Sequence, residues 1–227
     1  MKQRAFYLPV ETGFDRGDYL VSDCNRAAFD WIERWPQWPM RALVLHGASG
    51  SGKTHLAHLW CQRSGATLVA GTAIGGGEPA GGAAMAIDDA DLAAEEPLLH
   101  LYNGAIEAGA SLLLTMQSPP ASLPIALPDL ASRLRALPVA GIAPPDDELL
   151  GAVLFKHFAD RQILVRPEVI AYLVARIERS FAAAASVAAR LDAEAFSAKR
   201  PITVKLARAV LAEFGDHSLP PSDFTVT

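Results

Sequence analysis

Apolar positions along this chain follow two different rhythms. Ala42-Leu43-Val44-Leu45, Thr67-Leu68-Val69, Met85-Ala86-Ile87 and Ser111-Leu112-Leu113-Leu114-Thr115 are unbroken short runs. Such runs mark strands covered on both faces, as in a parallel sheet. Stretches of helical period separate or precede them, over residues 25–35, 54–64 and 98–108. In the first, Ala28, Ile32 and Trp35 share one face, and the prolines of Trp35-Pro36-Gln37-Trp38-Pro39 end the helix. Strand and helix in alternation predict an α/β fold, a parallel sheet with helices on both faces.

Past Pro144-Pro145 the strand rhythm stops. Asp146-Asp147-Glu148 opens a helix with acids at its positive end, and Leu149, Leu150, Val153, Leu154 and Phe158 form its stripe. A second helix starts at Pro167, a third covers residues 181–196, and a fourth follows Thr203 as N-cap. The pattern divides the chain into an arm (1–17), an α/β domain (18–144), a small all-helical domain (145–214) and a tail (215–227). The glycine-rich stretch at 75–82 reads as a linker.

Composition narrows the picture. The 227 residues are 51% hydrophobic, enough for a substantial core and too apolar for a disordered chain. No run is long enough to cross a bilayer, and no signal-type core follows Met1-Lys2-Gln3-Arg4, so a cytoplasmic protein without a membrane partner is expected. Two cysteines make no disulfide framework, and six histidines show no ligand spacing. A net charge of −5 with dispersed Lys and Arg disfavours a direct grip on nucleic acid.

The strongest chemical signal is Gly47-Ala48-Ser49-Gly50-Ser51-Gly52-Lys53-Thr54, between a strand run and a helical run. Glycines let backbone N–H groups converge on phosphates, Lys53 brings a point charge, Thr54 offers a hydroxyl to Mg²⁺, and the helix start adds its dipole. The pattern predicts a site for ATP or ADP. Downstream, Ala86-Ile87-Asp88-Asp89 ends a strand in two carboxylates: Asp88 is the candidate for the Mg²⁺ shell, Asp89 for orienting water. At the next strand end, Thr115-Met116-Gln117 places a polar residue within range of the same phosphates. By spacing alone, Arg133 is a lone arginine behind a proline-rich loop, and Arg179 a surface arginine beside Arg176 and Glu178.

Together these segments resemble the AAA+ ATPases, and among them the DnaA/Hda group, its Hda branch above all. The resemblance rests on Tyr19-Leu20-Val21-Ser22-Asp23-Cys24-Asn25, on 47–56 with its Lys-Thr-His-Leu, on Ile87-Asp88-Asp89, on Leu101-Tyr102-Asn103, on Leu114-Thr115 with Pro119-Pro120, on Leu127-Pro128-Asp129-Leu130-Ala131-Ser132-Arg133-Leu134, and on Arg200-Pro201-Ile202-Thr203. It implies nucleotide contacts from Tyr19, Leu20, Val21 and Asn25 near the base, and from Gly47, Ser49, Gly50, Ser51, Gly52, Lys53, Thr54 and His55 at the phosphates. It implies an arginine finger at Arg133, a lid arginine (sensor II) at Arg179, and a departure at Gln117, where the group usually carries Asp. It further implies a regulator that acts on the initiator DnaA, stimulating hydrolysis of its ATP and so repressing re-initiation. Such a regulator docks on the β sliding clamp of DNA polymerase through an N-terminal peptide, here Gln3, Phe6, Tyr7 and Leu8, and meets DNA only through the clamp. No DNA-reading domain is expected after the lid; a homo-oligomer is compatible with the group. The alternative expectation is an autonomous AAA+ ATPase that loads a helicase.

Overall fold

The computed structural model describes residue 17, residues 19–75 and residues 84–216, with side chains described as far as residue 213. Its first part alternates helix and strand: α1 (Arg26–Glu33), β1 (Ala42–His46), α2 (Lys53–Ser64), β2 (Thr67–Ala70), β3 (Ala84–Asp88), α3 (Glu95–Glu107), β4 (Ser111–Met116), α4 (Pro128–Ala136) and β5 (Val139–Gly141). Four helices follow: α5 (Asp147–Asp160), α6 (Pro167–Val174), α7 (Phe181–Ala198) and α8 (Val204–Asp216).

The strands form one parallel sheet in the order β2-β3-β4-β1-β5. Strand alternation sends successive side chains to opposite faces. Leu43, Leu45, Ala86 and Leu113 pack under α1 and α2, against Ile32, Leu56 and Trp60. Val44, Ile87, Leu112, Leu114 and Met116 pack on the other face, against Leu98 and Tyr102 of α3 and Leu130 and Leu134 of α4. The unbroken apolar runs thus reflect burial on both sides.

Trp60, fully buried on α2, stacks on Trp38 at 5.2 Å between ring centroids. Trp38 in turn donates its indole N–H to the Trp31 carbonyl at 2.7 Å. The proline-bounded aromatic segment is therefore a core plug that seats α2, the helix whose first turn begins the candidate site. Trp35 lies beyond α1, its indole N–H bonded to Ser111 Oγ at 3.1 Å, so that helix stops two residues sooner than its periodicity suggests.

The lid has its own core, in which Leu150, Leu154 and Phe158 of α5 meet Val169, Leu173, Val187, Leu191, Leu206 and Val210. Three of its four helices start at side-chain caps, and α6 starts at Pro167 without one. Asp146 Oδ1 accepts from the Leu149 N–H at 2.7 Å, Ser180 Oγ from Ala183 at 3.1 Å, and Thr203 Oγ1 from Leu206 at 3.3 Å. Among the described residues no helix is long and apolar enough to cross a membrane.

Candidate nucleotide site

The site gathers at the carboxyl ends of β1, β3 and β4, where open α/β sheets bind ligands. β1 runs into the glycine-rich loop, which turns at Gly50 (φ 70°) and Gly52 (φ 96°) before α2 begins at Lys53. A Cβ on Gly47 would stand 2.6 Å from the Ile142 carbonyl oxygen and 2.7 Å from Ser51 Oγ, so only glycine fits. No side chain caps α2, and the N–H groups of its first turn face the loop's concavity without competition from a capping oxygen. Lys53 is 5% exposed and is held by the Gly47 and Ala48 carbonyls, at 2.8 and 3.0 Å. Ser49 is exposed at the loop's rim, while Ser51 is buried.

Two threonines fix Asp88. Thr54 Oγ1 donates to Asp88 Oδ2 at 2.9 Å, and Thr115 Oγ1 to Asp88 Oδ1 at 2.6 Å. Thr115 also accepts the Asp89 N–H at 2.8 Å, holding Asp89 in a left-handed conformation (φ 49°) that Asp tolerates better than most residues. Burial raises the Asp89 carboxyl above its ordinary range; the Asp88 charge adds to this and Lys53 opposes it. Burial and then Lys53 hold the His46 imidazole below its usual value. Gln117 is exposed, its backbone N–H bonded to Asp91 Oδ2 at 3.0 Å.

The segment before α1 is organised by Asn25, which is fully buried. Its Nδ2 donates to the Leu20 carbonyl at 2.9 Å and its Oδ1 accepts from Ser22 N–H at 2.8 Å, so it shapes the backbone of residues 20–25. Cys24 O accepts from Ala143 N–H at 2.9 Å, tying this segment to the approach to the lid. Tyr19 stacks on Phe29, meets the edge of His55 at 5.2 Å between centroids, and approaches Gly52. Burial pushes its phenol pKa up.

Arg133 sits on α4, half-exposed, its Nε donating to Asp129 Oδ1 at 3.0 Å and its guanidinium 6.0 Å from the Tyr102 ring centroid. Sequence reasoning missed what holds this helix. Glu95 of α3 accepts the Ala126 and Leu127 N–H groups through Oε1 and Oε2, at 2.8 and 2.6 Å, across the start of α4. Arg179 ion-pairs with Asp147 at 2.8 Å on the surface of the lid. The lid residues that touch the loop are its neighbours: Phe181 N–H donates to the Gly50 carbonyl at 3.0 Å, and Ala182 packs on Gly50. Gln3, Phe6, Tyr7 and Leu8 lie outside the described residues, as does all but the first residue of the 75–82 linker.

This arrangement fits a nucleotide: glycine-only backbone, a buried lysine and a helix start converge on one concavity. Among the described residues no three His, Cys, Asp or Glu side chains gather into a set able to hold a metal alone. The hydroxyl–carboxylate pair Thr54–Asp88 suits Mg²⁺, which takes one or two protein ligands and completes its shell with water and phosphate oxygens.

Known proteins share the fold and parts of the sequence. The family model described as Hda, lid domain, matches residues 146–211. Domain III of the replication initiation protein DnaA from Thermotoga maritima superposes with a TM-score of 0.75, covering 91% of this chain and 99% of that one at 16% identity. The chain thus has the AAA+ fold of DnaA domain III, and its helical part is similar to the Hda lid domain. AMPPCP-bound DnaA from Aquifex aeolicus shares the AAA+ fold at a TM-score of 0.67 and 15% identity, over 87% of this chain and 68% of that one. Curated relatives include the chromosomal replication initiator protein DnaA of Cutibacterium acnes, 29% identical over 119 residues, 52% of this chain and 24% of that protein. That of Symbiobacterium thermophilum is 30% identical over 129 residues, 57% of this chain and 27% of the relative. The chain spans about a quarter of the length of these relatives.

Proposed function

We propose that this protein is a cytoplasmic regulatory AAA+ factor that binds ATP or ADP with Mg²⁺ and presents Arg133 to the ATP of the initiator DnaA. With the β sliding clamp it stimulates hydrolysis of that ATP and so represses re-initiation. The observation that carries the reading is Arg133: a half-exposed guanidinium on a helix whose start is pinned by Glu95. The match of residues 146–211 to the Hda lid supports the choice of regulator over initiator.

The chain's own residues have separate tasks in this reading. Lys53 and the first-turn N–H groups of α2 bind the phosphates of the resident nucleotide. Thr54 and Asp88 hold Mg²⁺, which supplies charge compensation there when bound. Tyr19, Leu20 and Val21, on a backbone shaped by Asn25, border the base. Arg133 acts outward: a cation delivered to a transferring phosphoryl group is worth about 10³ to 10⁵ in rate. Gln3, Phe6, Tyr7 and Leu8 supply the clamp contact, so DNA is reached through the clamp. The divisions at 17/18, 144/145 and 214/215 go with this assignment.

The test uses DnaA loaded with labelled ATP, clamp on DNA, and hydrolysis measured with and without this protein. Stimulation should disappear with Arg133→Ala, and with Gln3→Ala/Phe6→Ala. Retained stimulation in Arg133→Ala would sink the finger assignment.

Asp88 and Asp89 beside Thr54 favour a second reading, an autonomous ATPase that loads a helicase. Robust turnover by the isolated protein, suppressed by Asp89→Asn, together with helicase binding would select it.

A further inference from the structure

Between α5 and α6 the lid leaves an open groove of about 640 Å³, lined by Gly151 and Phe155 on one side and by Val165, Ile170 and Val174 on the other. A Cβ on Gly151 would meet the Ile170 and Val174 methyl groups at 3.6 and 3.7 Å, ordinary packing distances, so helix contact does not demand glycine here. Glycine inside a helix is less stable than alanine, and its missing side chain leaves open space in the groove. Phe155 is 62% exposed, and Leu164, next to Val165, is 97% exposed. Large apolar side chains facing water beside an apolar groove indicate a docking surface.

The opposite end of the groove is acidic. Asp147 and Glu148 line it, Asp147 paired with Arg179 and Glu148 exposed. This end lies close to Tyr19, where the first continuous stretch of described residues begins. The Tyr19 and Phe181 rings both come within 3.5 Å of a Cβ built on Gly52. Two residues before Phe181 stands Arg179, the partner of Asp147.

We propose that this groove seats the chain's own N-terminal arm, with Phe6-Tyr7-Leu8-Pro9-Val10 along its apolar walls and Arg4 toward Glu148. Reach, length and charge select this occupant. Leu8 precedes Tyr19 by eleven residues, and such a segment spans up to about 36 Å, enough to pass from Tyr19 across Gly52 and Phe181 to Asp147. α5 advances about 12 Å from Asp147 to Phe155. Four extended residues cover the same distance at about 3.3 Å each. Lys2 and Arg4 are the only charged side chains among residues 1–10, whereas residues 217–227 carry Asp223 and no Lys or Arg. An acidic end therefore favours the arm over the tail. The groove then holds the same side chains that the clamp contact needs, so the arm reaches the clamp only when it leaves the lid. That consequence rests on the clamp reading above; the docking does not.

The test replaces Phe155, and separately Ala171, both exposed, by the photo-crosslinking p-benzoylphenylalanine in the full chain, and maps the products by mass spectrometry. Irradiation should link position 155 or 171 to residues 1–10 of the same chain, with a yield independent of protein concentration. Phe6→Ala/Leu8→Ala should lower that yield by about fivefold or more. Links to residues 217–227, links between copies, or no link to the arm from either position would overturn the proposal. The second readout is the affinity of the full chain for the clamp. With about nine-tenths of the arms seated, clamp binding is weakened about tenfold, and Phe155→Glu should recover that factor. Gly151→Leu, which fills the groove, repeats the measurement should Phe155→Glu not fold. Equal clamp affinity for the wild type and the folded groove variant would overturn the proposal as well. Cross-linking to the arm, with no clamp binding by either protein, would overturn the clamp reading and uphold the docking.

Discussion

Thr115 and Asp88 are joined by a 2.6 Å hydrogen bond that crosses from β4 to β3 beneath the phosphate loop. With the 2.8 Å bond from Asp89 N–H to the same hydroxyl, it makes one fully buried threonine responsible for two acidic residues. Thr115→Val keeps the shape and removes the hydroxyl. It should cost about 1–3 kcal/mol, because the Asp89 N–H loses its acceptor and Asp88 its donor. Mg²⁺-dependent nucleotide affinity should fall as Asp88 loses its fixed orientation. Thr115→Ser should restore both; chemical denaturation and nucleotide titration check this.

Glu95 grips two backbone N–H groups at the entrance to α4 with a charged carboxylate. Glu95→Ala should destabilise the protein by about 1–2 kcal/mol, as the loss of a good helix cap does. It should also lower stimulation of DnaA although Arg133 is intact. Glu95→Asp, too short to span both groups, should fall between. Rates and melting temperatures measured on the same preparations would expose an effect on stability alone.

Arg133 gives the opposite result for folding. Its ion pair with Asp129 is exposed on both sides and within one helical turn, an arrangement worth well under 1 kcal/mol. Arg133→Ala should therefore leave the unfolding midpoint within about 0.5 kcal/mol of wild type. A large loss of stability would mean that its role is structural.

Trp60 is the largest fully buried side chain and seats α2 against the sheet. Trp60→Ala should cost about 3–5 kcal/mol, and Trp60→Phe less. A folded variant should also bind nucleotide more weakly, because α2 carries Lys53 and Thr54 at its start. Denaturant midpoints and titrations test both statements.

Two imidazoles set a pH dependence. His46 and His157 are both held below the ordinary value of 6.5, chiefly by burial, with Lys53 adding to the effect at His46 and Arg161 at His157. The unfolded chain then binds more protons than the folded one over the interval just below 6.5, so stability should rise with pH there. His46→Gln/His157→Gln should flatten that rise. Stability unchanged in slope between wild type and variant would contradict it.

The central strands, the phosphate loop and the lid helices were legible because each writes its physics locally. Leu112-Leu113-Leu114 can hardly be anything but a strand with two covered faces, and glycines before Lys53-Thr54 serve few other purposes. α4 and β5 were not legible. α4 has nine residues beginning at a proline, and β5 has three, with Val139 exposed at the sheet's edge. Tertiary pairing, not periodicity, defines them. In the site, Lys53, Thr54, Asp88 and Asp89 announce their chemistry. Glu95 does not, because its partners stand 31 and 32 residues away. Phe181 and Ala182 do not either, since a backbone N–H and a methyl group leave no mark on a sequence.

The bond from Phe181 N–H to the Gly50 carbonyl has a consequence for how the molecule comes apart. The lid has a core of its own and would be expected to melt as a separate unit. Yet the phosphate loop leans on the first turn of α7 through Gly50. Opening the lid strips the loop of a hydrogen-bond partner and of its packing, and freeing the loop leaves the Phe181 N–H without its acceptor. Amide exchange at the loop and in α7 should therefore report one shared opening event, and whatever binds the loop should slow exchange in a helix it barely touches.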